Sequence, residues 1–410
     1  MKSTILWNIL AIALGIAAGL TLEKSAAGLG VVAWIPISLI KGLASPLLFF
    51  AILHGLMSDQ ITGRGFRKML FVAMTNAVAA VTIAVLLVDL FKPGVHLTTL
   101  VRGVMDSVAS GTASTYKVPT WQDAIKSLVP DSVLAPFVTN NIPAILFLAI
   151  LMGLSLRHIG RDNKDASTHW HPWFLSARAG VDVGLSLVSQ MMKYVLYLLP
   201  VAIFASVAKA TGEHGLGVFK GLAWYVVICV GGMLIQIIVV YQSWILFFAK
   251  KSLIEFWRYA RIPVVYAFGV NSSLASLPST LQALDHLKVS QGASRLGACV
   301  GTNFNNDGIL LYEVAALLML GQAAGLEWSL MYQLGLAGIC VLATLGVSGF
   351  PEAGIVALSL VLSSAGLPAE LLPLLIPVDW LVARMRSATN VVSDMTVSIA
   401  IDSRNPQVSP

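Results

Sequence analysis

Apolar runs of bilayer-crossing length recur along this chain, and they dictate its fold. A helix needs about 20 predominantly apolar residues to cross the hydrocarbon core. Runs near residues 4–22, 32–57, 68–92, 130–156, 178–210 and 216–248 approach or exceed that length. With 57% hydrophobic and 11% charged residues, the composition excludes a soluble globule. The first run follows Lys2, lacks a clear small-residue cleavage site, and reads as a first transmembrane helix rather than a cleavable signal. The expectation is an all-α polytopic membrane protein.

Basic residues set its orientation. Arg64, Arg67 and Lys68 follow the second run, Arg157, Arg161 and Lys164 the fourth, and Lys250, Lys251, Arg258 and Arg261 the sixth. Those alternate loops share the cytoplasmic side, which puts the N-terminus there as well. Residues 94–129, rich in Gly, Ser and Thr, read as a mobile outer loop. The net charge of +6 is spread over loops, with no basic patch interleaved with aromatics, so no nucleic-acid partner is expected. Cys229, Cys299 and Cys340 stand alone in apolar segments and read as packing residues. His54, His158 and His286 are scattered, and His169-Trp170-His171 reads as a solvated turn.

After residue 260 the pattern changes. A short apolar arm (262–270), a polar tip at Asn271-Ser272-Ser273 and a second arm to residue 287 form an expected re-entrant hairpin. Non-helical backbone at membrane depth is tolerated only against protein or a water-filled cavity. The next apolar stretch, 296–320, is broken by Asn303, Asn305, Asn306, Asp307 and Gly308, with Gly301 just ahead. An unwound helix whose freed carbonyls coordinate a cation is the favoured reading; a plain kink is the alternative. The arrangement then repeats. Residues 334–345 form an arm, 346–354 a tip containing Glu352, 355–362 a return arm, and 377–394 the core of a last helix. Paired interrupted segments point to a transporter's midplane binding site. The count is eight full spans and two hairpins, with both termini cytoplasmic.

The last helix carries the chemistry. Asp379, Arg386, Asn390 and Asp394 follow at steps of 7, 4 and 4, which places them on one narrow helix face. A salt-bridged face that only fixes packing is one reading. The asparagine and second carboxylate favour a site for an anion and for cations. Arg384 points to a different face. Burying a further anion beside Asp307 and Asp394 is unfavourable unless bound cations or protons remove the excess charge. Oxygen-only ligands suit a hard ion such as sodium. No P-loop is present, so no ATP-driven step and no organic cofactor are expected.

These residues resemble the dicarboxylate/amino acid:cation symporter family, which includes the glutamate transporters. Asn305-Asn306-Asp307-Gly308 is similar to its Asn-Met-Asp-Gly motif. Residues 346–354 are similar to its second-hairpin glycine-rich tip, and Arg386, Asn390 and Asp394 to its Arg-x-x-x-Asn-x-x-x-Asp signature. Weaker echoes include Phe91-Lys92-Pro93-Gly94 and residues 199–205, and the similarity runs from residue 5 to about 402. The resemblance implies a homotrimer in the plasma membrane with an elevator fold built on inverted repeats. Helices 1–6 would occupy residues 1–250, with helices 1, 2, 4 and 5 forming the trimeric scaffold and 3 and 6 joining the transport part. Residues 251–404 would form the core transport region. Carried over by position, Gly301, Asn305, Asn390 and Asp394 match one sodium site; Asp307, Asn305, Thr75 and Asn76 match a second. Thr344, Leu345, Val347 and Asn303 match a third. Substrate would meet Ser272, Ser273, Val347, Gly349, Arg386, Ser387 and Asn390, and Glu313 sits where some members carry a proton.

The departures set the expected substrate. Ala383 stands where the amino-acid carriers place an aspartate for the substrate ammonium. A desolvated ammonium then lacks its charge partner. Arg386 is retained, and a guanidinium matches a carboxylate bidentately. Ile309, Asn306 and Val72 replace a family threonine, methionine and tyrosine. The expected function is therefore sodium-coupled uptake of C4-dicarboxylates, with protons as a further candidate coupling ion. An acidic or neutral amino acid is the runner-up substrate. An intramembrane hydrolase using Ser272 or Ser273, or the Asp307–Asp394 pair, is the remote alternative.

Overall fold

The computed structural model describes residues 2–57, 64–109, 130, 132–139, 141–160, 172–215, 217–344 and 353–402. These residues form helices and turns, with no strand among them. The helices are α1 (Lys2–Leu22), α2 (Gly30–Leu56), α3 (Arg64–Phe91), α4 (Thr98–Ala109), α5 (Ile142–Gly160), α6 (Pro172–Leu196), α7 (Leu199–His214) and α8 (Gly217–Ile235). The C-terminal part adds α9 (Leu253–Val270), α10 (Ser273–His286), α11 (Asp307–Ala323), α12 (Leu330–Thr344), α13 (Ala353–Ser364) and α14 (Leu372–Ile401).

Among the described residues, three stretches are long and apolar enough to cross a membrane: Leu10–His54, Gly65–Phe91 and Gly221–Phe248. The bent pair Pro172–Val195 and Pro200–Glu213 makes a fourth. This supports a membrane protein. The pair, expected as one helix over 178–210, bends by 48°. Pro200 lies in the first turn of α7, where a proline cannot extend the preceding helix's hydrogen bonds. The run expected at 130–156 divides likewise into a short turn, Ala135–Thr139, and α5. Asn141 caps α5 by accepting the Ala144 N–H at 3.3 Å.

The mobile outer loop expected at 94–129 is corrected over its first part. Pro93–Leu97 forms a 3₁₀ turn and α4 follows it directly. Leu97, Leu100 and Val101 are buried in the main core, with Val104 and Met105 packed against it. That i, i+3, i+4, i+7, i+8 stripe is a helical face, which the Gly/Ser/Thr content of the whole segment obscures. Residues 110–129, Arg161, Lys164, His169-Trp170-His171 and the second tip with Glu352 lie outside the described residues.

Two helices are enclosed nearly throughout. Residues 307–321 of α11 are buried without interruption, and α14 is buried on most of its 30 residues. The main core joins α3, α8, α11, α12 and α13 around the first half of α14, and a second core surrounds its last turns with α9 and α10. A third cluster joins α2, α5, α6 and α13. Away from this centre α1 lies along α7 at very close range. A Cβ at Gly19 would stand 2.6 Å from the Ala208 carbonyl oxygen, and one at Gly15 2.8 Å from Val207 Cβ. Glycine spaced by four lets two backbones approach this way.

Candidate functional site

The two interrupted regions decide which side chains meet α14. The first expected hairpin is realised as α9 and α10. Asn271 ends α9 in the left-handed region at φ 53°, a conformation asparagine tolerates, and Ser272 caps α10 by accepting the Ala275 N–H at 3.2 Å. The break expected after Gly301 is a 3₁₀ turn, Gly301–Asn303, followed by non-helical residues before α11 starts at Asp307. The freed groups are reclaimed by α14. Asn390 Oδ1 accepts the Gly308 N–H at 2.9 Å, Asn390 Nδ2 donates to Asn306 Oδ1 at 3.3 Å, and Asn306 Nδ2 donates to the Thr344 carbonyl at 3.2 Å. One amide chain thus ties the last helix, the break and the arm of the second hairpin together.

Asp379, Arg386, Asn390 and Asp394 are 2–4% exposed, so the charged face of α14 points inward as expected. Arg386 is paired bidentately with Asp379, Nη1 to Oδ1 at 3.0 Å and Nη2 to Oδ2 at 3.3 Å, and lies 4.0 Å from the Tyr312 ring centroid. Gly354 packs against the guanidinium so closely that a Cβ there would overlap it. The sequence reading set the Arg386 charge against Asp307, Asp394 and an incoming anion. Here Asp379 already balances it, because a partner two turns away on the same face reaches it without other elements moving. Arg384 is apart from this group, donating to the Trp380 carbonyl at 2.6 Å and lying over the Trp380 ring.

The two other carboxylates are held separately. Asp307 accepts from the Tyr241 hydroxyl at 2.8 Å and the Ser393 hydroxyl at 2.6 Å. Asp394 accepts from Asn305 Nδ2 at 3.4 Å. Among the described residues Asn305 Oδ1 is buried without a hydrogen-bond partner, as are both Glu313 oxygens. No group of three His, Cys, Asp or Glu side chains able to hold a metal occurs among the described residues. A cation could be held by Asp394, the unpaired Asn305 oxygen and carbonyls of the break, an oxygen set that suits a hard monovalent ion. The second expected position combines Asp307, Asn305, Thr75 and Asn76. Thr75 is exposed and donates to its own helix at the Phe71 carbonyl, 2.8 Å away. Asn76 Oδ1 instead accepts the Trp244 indole N–H at 2.8 Å. Those two residues are adjacent on α3, about 100° apart around its axis.

Of the other expected residues, Ser387 donates to Asn271 Oδ1 at 3.1 Å and joins α14 to the first hairpin tip. The Ser273 carbonyl accepts the Ser276 hydroxyl, and Ala383 is buried. Asn303 closes the 3₁₀ turn, while the Thr344 hydroxyl returns to the Val341 carbonyl. Leu345, Val347 and Gly349 lie outside the described residues. Two of the scattered histidines are engaged elsewhere: His54 Nδ1 lies 2.6 Å from Asp182 and His286 stacks on Tyr259. The sequence reading missed the roles of Tyr241, Tyr312, Gly354 and Ser393. Ser393 carried a signal, since it lies three residues after Asn390 on the charged face; Tyr241 sat unmarked in an apolar run.

Comparison with known proteins places the sequence in a family. The model of the sodium:dicarboxylate symporter family matches residues 5–404. The chain is 25% identical over 398 residues to a C4-dicarboxylate transport protein of Deinococcus deserti, covering 96% of this chain and 87% of that one. It is 24% identical over 411 residues to one of Solibacter usitatus, covering 98% and 92%. A third, from Bordetella avium, is 26% identical over 369 residues, covering 89% and 80%. With its motifs in family order and the match running nearly end to end, this chain belongs to the sodium:dicarboxylate symporter family.

Proposed function

We propose that the chain is a secondary active symporter that imports C4-dicarboxylates together with sodium. The observation that carries this reading is the buried Arg386, with Ala383 on the same helix. The guanidinium offers two parallel donors to a carboxylate, and Ala383 leaves no counter-charge for an ammonium. Substrate binds by sharing or displacing the Asp379 carboxylate on Arg386. Ser272, Ser273, Val347, Gly349, Ser387 and Asn390 complete its surroundings. The names of the C4-dicarboxylate transport relatives support the same substrate class.

Coupling follows from charge. With Arg386 balanced by Asp379, a dianion would join Asp307 and Asp394 with no free positive side chain among those described above. Sodium supplies it. Gly301, Asn305, Asn390 and Asp394 hold one ion, and Asn303, Thr344, Leu345 and Val347 frame another. Each net positive charge moved inward gains about 2.3 kcal/mol per 100 mV, inside negative. Glu313, buried and without a hydrogen-bond partner among the described residues, is the proton carrier if protons are coupled too.

The assembly proposed is a homotrimer in the plasma membrane with eight spans, two re-entrant hairpins and both termini cytoplasmic. Residues 1–250 supply the scaffold, with their third and sixth spans joining the core transport region, 251–404, which moves as an elevator. Uptake of labelled succinate and aspartate into proteoliposomes, with and without a sodium gradient, tests the function. Sodium-driven succinate uptake that fails in Arg386→Ala is expected; aspartate as the preferred substrate would overturn it.

A further inference from the structure

Away from the charged face of α14, a cavity of about 710 Å³ opens between α2, α4, α7 and the first turns of α14. Trp34, Leu100, Val104 and Leu374 contribute apolar walls. Leu374 precedes Arg386 by twelve residues, roughly 18 Å along the helix, so this cavity is separate from the proposed substrate site. Its polar lining is graded. Ser206, Lys209 and Glu213 follow at steps of three and four on one face of α7. Ser206 is 5% exposed and its hydroxyl has no hydrogen-bond partner among the described residues. Lys209 is half-buried, while Glu213 and, across the cavity, Glu370 are exposed.

An apolar trough that ends in one ammonium, two carboxylates and a buried hydroxyl is complementary to an amphiphile of mixed charge. A phosphate would pair with Lys209, and a primary ammonium would donate to Glu213 and Glu370. An acidic headgroup would pair its phosphate with Lys209 but bring no ammonium to the two carboxylates. A quaternary ammonium has no N–H to donate. We propose that this cavity seats one aminophospholipid, its phosphoethanolamine head at Lys209, Glu213 and Glu370 and an acyl chain along Trp34, Leu100 and Leu374. The lipid fills the seam between α2 and α7 on one side and α14 on the other. This rests on the membrane reading and not on the dicarboxylate one, and its test needs no transport.

The test is native mass spectrometry of the full chain in detergent, titrated with phosphatidylethanolamine, phosphatidylcholine or phosphatidylglycerol of identical acyl chains. One phosphatidylethanolamine is expected to remain bound per protomer, favoured about tenfold, the equivalent of one charge-assisted hydrogen bond. Gly30→Leu fills the cavity beside Lys209, whose Cδ lies 3.2 Å from a Cβ at that position, and it should abolish the adduct. Lys209→Ala should weaken all three lipids, and Glu370→Gln should remove the preference for ethanolamine over choline. Melting in the same detergent confirms that each variant is folded. Equal retention of the three lipids, a preference for phosphatidylglycerol, or an adduct unchanged in folded Gly30→Leu and Lys209→Ala would overturn the proposal.

Discussion

In the proposed mechanism Arg386 selects the substrate, and its neighbours explain how. Asp379 takes the paired donors of the guanidinium, Tyr312 covers its face, and Gly354 leaves room at its edge. A lysine there offers a point charge without the planar fork. Arg386→Lys should therefore raise KM for succinate about 10- to 100-fold, the worth of a charge-assisted hydrogen bond of about 1.5–3 kcal/mol. Removing one partner of a buried pair typically costs about 3–5 kcal/mol, because the other charge is left uncompensated. Asp379→Asn should lower the melting temperature, and added succinate should restore more of it than in the wild type, since substrate then supplies the missing carboxylate. Glu313 has the opposite predicament, a buried carboxyl group with no hydrogen-bond partner among the described residues. If it carries a proton, Glu313→Gln should retain uptake but lose its pH dependence, read from initial rates at one acidic and one alkaline pH. A variant as pH-sensitive as the wild type would remove Glu313 from that role.

At the scale of elements, the site depends on helices that stop short. The break before α11 frees backbone groups in the interior, and Asn390 and Asn306 reclaim some of them while binding α14 to α12. Asn306→Ala cuts this chain and leaves the Thr344 carbonyl without its amide donor. It should weaken sodium dependence, measured as a higher half-saturating sodium concentration for succinate uptake, with fold stability lowered by about 1–3 kcal/mol. The break and the first hairpin were legible in the sequence, because Asn, Gly and Asp inside an apolar run contradict a continuous span. The α4 helix was not, since its apolar stripe is diluted by the Gly/Ser/Thr-rich residues beyond it. Nor was the bend at Pro200, because both flanking runs carry the same apolar signal.

For the whole molecule, the enclosed pair α11 and α14 forms a centre around which the more exposed helices are arranged. The proposed trimer predicts chemically cross-linked species up to three chains and no further, seen by electrophoresis of protein cross-linked in membranes. Cross-linking that stops at two chains would exclude it. What the sequence by itself determined is the class of structure and the identity of the charged face. Apolar length forces helices, and the steps from Asp379 to Asp394 follow from the helical repeat alone. Only the tertiary structure decided which charges meet. Setting Tyr241 and Ser393 on Asp307 and turning Thr75 outward both depend on how separate helices are rotated against one another, whereas the Arg386–Asp379 pair closes within one helix. That rotation is set by packing between elements distant in the chain, and no local pattern encodes it.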